Sequence, residues 1–410
     1  MSSSRARTST SHLVAVLVLS VLALAACAGD GATGRDGSAS ASALSGGLGE
    51  PTAAFPEDFG TIQTVRELPD GTLLVADPLG NALYHVDMDA GTRTVIGVEG
   101  EGPGEYRQPD AVWPLPGGSS LLIDLGNGRT ATLGPELDFG PTSPIAMGEP
   151  RPGSTLVLAL PQGIDAQGRV YTRAMGGGFG GELPDSGAIL RVDRETLSVD
   201  TVASFKLQDR IQTTSGGANN RAVSIESVPL SAEDAWGVAP DGSVVVARSS
   251  DYQVEWIGPD GTLTRGPATP FVPVTIGTAE KEEYVASTGR TGGGVGISVS
   301  VNNGAMEMSF ARGAGGRPRE IDNYQWPETK PPFYSGRLDV DGMGRAWVRR
   351  HVAAGEDATY DVFGRDGVRV GTVTLPNDRR VIGFGGGTVY AVMYDEFDLN
   401  YLERYALPGA

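Results

Sequence analysis

Histidine and cysteine are the scarcest chemically versatile residues in this chain, three of the first and one of the second in 410 positions. His12 lies in an apolar leader, which leaves His85 and His351 for a folded domain. A Ser-His-Asp triad would need one of these two, and no G-x-S-x-G turn accompanies either. His85 sits in the middle of ALYHV and reads as a structural strand residue. His351 follows Arg349 and Arg350 at a strand end, where a polar loop and an anion-binding loop are both open readings. Carboxylates gather at Asp87 and Asp89, at Asp339 and Asp341, and at Asp395, Glu396 and Asp398. None matches D-x-[DN]-x-[DN]-G-x5-E, and the first two groups fall where turns favour Asp before Gly. Residues 176–181 satisfy G-x-G-x-x-G but neither follow a buried strand nor open a helix, so they read as a flexible hairpin loop. No G-x-x-x-x-G-K-[ST] phosphate loop is present.

The single cysteine has a location that explains it. Arg5 and Arg7 precede an apolar run over residues 13–26, shorter than the roughly 20 residues a membrane-spanning helix needs. The run ends at Leu24-Ala25-Ala26-Cys27, which resembles a bacterial lipobox. That resemblance implies a signal peptide over 1–26, lipid attachment at Cys27, and membrane anchoring through the lipidated N-terminus. A thiol used in this way is withdrawn from disulfide, zinc and nucleophile chemistry. Ala28, where inner-membrane lipoproteins of some bacteria carry Asp, directs the expectation to the outer membrane of the cell envelope. Residues 27–51 are rich in Gly, Ala and Ser and read as a flexible tether.

The remaining chain must position whatever chemistry exists. Gly contributes 60 and Pro 27 residues, an abundance of turn formers, while 40% hydrophobic content is enough for a core. The net charge of −18 argues against nucleic acid as a partner. From residue 55 a turn followed by an apolar strand recurs six times. The turns are Asp70-Gly71, Gly117-Gly118, Gln167-Gly168, Asp241-Gly242, Met343-Gly344 and Gly386-Gly387. The strands after them are nearly continuous apolar runs, as burial on both faces requires. Third strands follow, such as RTATL (129–133) and QVEWI (253–257). First strands DAVWPLPGG (110–118) and DAWGVAPDG (234–242) look like near-copies, with Trp113 and Trp236 similarly placed. The pattern predicts an all-β, six-bladed β-propeller of four-stranded blades over 52–410. The last unit shows three strands, so residues about 52–60 are expected to supply its fourth and close the ring. Insertions are expected at 206–233 and 275–333. The second holds a helix over 278–287 and a hairpin over 296–310, for which a seventh blade is the alternative.

Gly100-Glu101-Gly102-Pro103-Gly104-Glu105-Tyr106, together with Asp124-x-x-Asn127-x-Arg129, resembles the inter-blade turn and strand pattern of NHL-type six-bladed propellers. Residues 326–333 and 339–349 are similar to six-bladed β-propeller lipoproteins of bacteria. The resemblance specifies fold far better than function. It implies a membrane-anchored, extracytoplasmic scaffold that binds protein, peptide or glycan through one face of the ring, where loops 174–187, 206–233 and 275–333 enlarge the rim. No cofactor is expected on that reading. The alternative is a metal-dependent hydrolase or lactonase, since propellers resembling gluconolactonase hold a divalent ion such as calcium in the central channel through carboxylates. Asp110, Asp165, Glu226, Asp234 and Asp339 lie near first strands and are the candidates to reach that axis, with Arg349 and His351 as candidate rim residues. A purely structural envelope protein is a third reading.

Overall fold

The computed structural model describes residues 44–147, 157–174, 183–215, 222–290, 294–302, 305–313 and 320–410. The signal peptide, Cys27, most of the tether and the glycine-rich segment 176–181 lie outside the described residues. Six sheets repeat one order of four antiparallel strands, and two of them carry a fifth, parallel strand. Their inner strands are Val65–Glu67, Pro109–Pro114, Gly163–Ile164, Ala235–Val238, Asp339–Val340 and Arg379–Phe384. The second strands are Leu73–Asp77, Ser120–Asp124, Val170–Arg173, Val244–Arg248, Ala346–Arg350 and Thr388–Tyr394. These are the apolar runs anticipated above, and Leu73–Asp77 and Ser120–Asp124 are buried at every position.

The hydrophobic core is divided in a way that defines the architecture. Leu74 and Leu83 of blade one pack on Leu122 and Leu133 of blade two. Tyr171 and Ile189 of blade three pack on Trp236 and Val246 of blade four. Equivalent clusters join blades two and three, four and five, and five and six. A sixth cluster sets Leu73 and Val75 of blade one against Tyr390 and Val392 of blade six, so each sheet is covered on both faces and the succession returns to its start. This is a six-bladed β-propeller.

Closure occurs as expected. Ala53–Phe59 pairs antiparallel with Asn400–Ala406 as the outer strand of blade six. Phe55 and Phe59 point inward at 2% and 1% exposure, and burying two such rings contributes about 4–6 kcal/mol. One part of the tether departs from expectation. Leu44–Gly47 lies parallel to Arg369–Leu375 as a fifth strand of blade five. The outer edge of that blade is otherwise unpaired, and Leu44 and Leu48 pack on the blade five–six core.

The inter-blade turn explains its own motif. Asp124 accepts the amides of Arg107 and Gln108 and the side chain of Asn127. Asn127 also donates to Gly100 O, and Arg129 donates to the carbonyls of Glu101, Gly102 and Glu105. The Asp-x-x-Asn-x-Arg pattern is thus a clasp that fastens the link between blades one and two. In the second insertion, helix Thr278–Arg290 precedes a hairpin of Val295–Asn302 and Ala305–Arg312. The hairpin is a separate two-stranded sheet and not a seventh blade.

Candidate functional site

Inner strands begin and second strands end at the same end of the ring, because the two run antiparallel. A cavity of about 550 Å³ opens there, between the inner ends of the blades and the insertion hairpin. Its wall holds five arginines, Arg173, Arg312, Arg337, Arg349 and Arg380, against two carboxylates, Asp110 and Asp339. The most acidic feature of the composition is therefore inverted at the axis.

The hairpin is fixed over this end by blade two. Phe310 is buried in the blade two–three core. Gln108 clips the hairpin's last residue, accepting Arg312 N at 2.8 Å and donating to Arg312 O at 3.1 Å. The Arg312 guanidinium then forks onto Asp110, with Nη2 3.1 Å from Oδ2. Arg337 crosses the channel. It pairs with Asp339 at 2.9 Å, donates to Ile382 O of blade six at 2.9 Å, and lies 5.4 Å over the Trp113 ring of blade two. Its placement depends on a close backbone approach, because Gly336–Arg337 pairs parallel with Ala235–Trp236. A Cβ on Gly237 would stand 2.0 Å from Leu338 O, so glycine is required there.

Arg349 differs from these. Its side chain makes no hydrogen bond or ion pair with any described residue, its Nε is buried, and its guanidinium stacks 4.4 Å over the Tyr334 ring. Tyr334 also packs on His351, with ring centroids 3.9 Å apart. Burial pushes the Tyr334 and Tyr360 hydroxyls up, so both stay protonated. Arg380 donates to Tyr394 Oη and Ile62 O, both uncharged. Arg173 is exposed at the margin, near Glu233, whose carboxyl is raised by burial.

Of the residues singled out from sequence, Asp110, Asp339 and Arg349 line the cavity. Asp165 does not, because it follows its inner strand and lies at the opposite end. Its carboxylate accepts Gln167 N, Arg169 N, Arg169 Nε and Tyr171 Oη. Asp234 is buried under Lys206 N, Ser249 and Arg248. Glu226 sits on the hairpin pairing Arg210–Ser215 with Ala222–Ser227, apart from the cavity wall. His351 is buried behind Tyr334, with Nδ1 3.0 Å from Pro331 O and no partner for Nε2. Burial lowers it to about 3, so it is neutral and is not an anion-binding rim residue.

Arg312, Arg337, Arg380 and Trp113 were not anticipated. Trp113 had a readable signal: it is three positions after Asp110, whereas Trp236 is two after Asp234. A one-residue offset reverses the face of a strand. Trp236 is accordingly 1% exposed between blades three and four, and Trp113 faces the cavity.

No family model matches the chain, and no curated protein does. Solved structures follow a similar chain course at low identity. Regucalcin from Agrobacterium tumefaciens, a calcium-binding protein, is 12% identical, with 89% of this chain and 97% of that chain covered and a TM-score of 0.41. A gluconolactonase from Xanthomonas campestris is 10% identical, covering 86% and 91%, with a TM-score of 0.38. Virginiamycin B lyase from Staphylococcus aureus is 12% identical, covering 87% and 98%, with a TM-score of 0.37. Similarity at this level says nothing of what this chain binds. No match supports the NHL-type assignment; what stands is the six-bladed ring, read from its own sheet order.

A divalent cation in the channel would need several oxygen donors converging on one point. Among the described residues no three His, Cys, Asp or Glu side chains form such a group. Asp110 and Asp339 stand on opposite blades, each with an arginine at ion-pair distance. The carboxylates of the described cavity wall do not form a calcium centre.

Proposed function

We propose that this protein is a lipid-anchored propeller of the cell envelope that binds an organic anion in its axial cavity. The observation that carries the reading is Arg349, a permanently charged guanidinium on the cavity wall whose side chain has no carboxylate partner among the described residues. Arg380, on the adjacent blade, adds a second cation with no carboxylate partner among the described residues. Guanidinium forks match carboxylate and phosphate oxygens in pairs. The lipobox at Cys27 supports the anchor and the extracytoplasmic location.

The names of the structural neighbours point to the rival reading, a metal-dependent hydrolase or lactonase. Carboxylates already paired with arginine are poor ligands for its metal. Melting curves separate the two. Organic acids should raise the melting temperature of the protein at constant ionic strength, and the corresponding neutral amides should not. Equal shifts from acids and amides, or lactone turnover that is lost on chelation, would displace this reading.

A further inference from the structure

The cavity wall is divided, and we propose that its ligand is divided in the same way: an acidic head group joined to an apolar body of several carbons. This rests on the reading of the cavity as an anion site and specifies the ligand class.

The cationic half belongs to adjacent blades, with Arg349 from blade five and Arg380 from blade six, while Arg337, on the short strand added to blade four, is paired with Asp339. The apolar half lies around blades two and three, where the wall is Trp113, Leu158, Leu160, Val295 and Ile297. Trp113, Leu160, Val295 and Ile297 pack on the blade two–three core and are only partly buried, which leaves part of each side chain uncovered by protein. Arg312 is on this side but is neutralised by Asp110, and Arg173 is at the exposed margin beside Glu233. Glu283 is within electrostatic reach of Arg349, but it is engaged by Lys330 at 3.3 Å.

The charge balance has the same sense: Arg349 and Arg380 have no carboxylate partner among the described residues. An inorganic anion meets that charge but leaves the apolar half in water. A neutral hydrocarbon covers that half but leaves Arg349 unmatched. A molecule with both parts satisfies both halves, and the Arg337–Trp113 contact marks where they meet.

The test is calorimetric titration of the wild-type chain with straight-chain carboxylates from acetate to octanoate, with alkyl phosphates and the matching alcohols in parallel. Affinity should rise by up to about fourfold per methylene buried until the cavity is filled, and the alcohols should not bind. The series that binds tighter at equal chain length identifies the head group. Ile297→Asn should flatten the series while acetate affinity is retained, and Leu160→Asn repeats the test at a second position. If neither variant folds, the wild-type series decides alone. A flat series would overturn the divided ligand and leave the anion site standing; alcohols that bind as well as acids would overturn both.

Discussion

Asp341 and Arg349 lie close in the sequence of blade five and are treated in opposite ways. Asp341 follows the inner strand, at the turn end of the ring, and is buried at 1% exposure. It accepts Met343 N and Arg345 N at 2.9 Å each, Arg345 Nε at 2.6 Å and Trp347 Nε1 at 2.8 Å. Blade three repeats the arrangement with Asp165, Arg169 and Tyr171, so both blades carry D-x-x-G-R-x-aromatic. Arg349, at the mouth end, has an aromatic face beneath its side chain and no acceptor for it among the described residues. A charge bonded on every side holds a turn in shape and has nothing left to offer a ligand. A charge left open costs stability, which a binding role explains.

The largest effect should come from opening the closed end. Asp341→Ala strands Arg345 and Trp347 and should cost about 3–5 kcal/mol in urea unfolding. A loss below about 1 kcal/mol would remove the contrast. Next is the buried imidazole behind the mouth. His351 is held at about 3, against 6.5 in an unfolded chain. Between those values the unfolded state binds the extra proton. The stability contribution is therefore complete above pH 6.5 and falls as pH drops towards 3, by up to about 1.4 kcal/mol per pH unit. His351→Gln should lose this slope, and parallel pH profiles for variant and wild type would show that the ring is not buried neutral.

Opening the contrast from the other side, Arg349→Met should lower organic-anion affinity by about 10–100-fold. Its stability should be unchanged or higher by about 1 kcal/mol, because an unmatched buried donor is removed. Loss of stability comparable to Asp341→Ala would mean that both ends are structural. The smallest effect belongs to a pair outside both regions. Arg107 and Glu101 are 2.5 Å apart, but their side chains are 53% and 67% exposed. Glu101→Gln should alter stability by less than about 0.5 kcal/mol.

The ring was legible because each blade writes its own hairpin. Ser120–Asp124 and Arg129–Leu133 meet through a local turn, and Asn400–Ala406 lacked a local outer partner that the segment around 55 was free to supply. The parallel strand Leu44–Gly47 was hidden, because a Gly- and Ser-rich segment carries no alternation to show which edge it will meet. The cavity was mostly illegible. Its arginines come from an insertion, the ends of two second strands, the link before blade five and the start of one inner strand, and ring closure alone assembles them; Gln108 and Arg312, which dock the hairpin, are 204 positions apart. A chain-wide charge of −18 conceals a local excess of the opposite sign. Asp110 and Asp165 also read alike, both beside a first strand, yet one opens its strand and the other closes it. They therefore stand at opposite ends of the channel.

The central claim is that the mouth of the ring is an anion site organised by Arg349. Titration calorimetry of the folded wild type and of Arg349→Met with one organic acid, at constant ionic strength, tests it most directly. The account predicts one binding event per chain in the wild type, weakened at least tenfold in the variant while both unfold at similar urea concentrations. Equal affinity in the two proteins, or no binding by either to any acid tried, would contradict it.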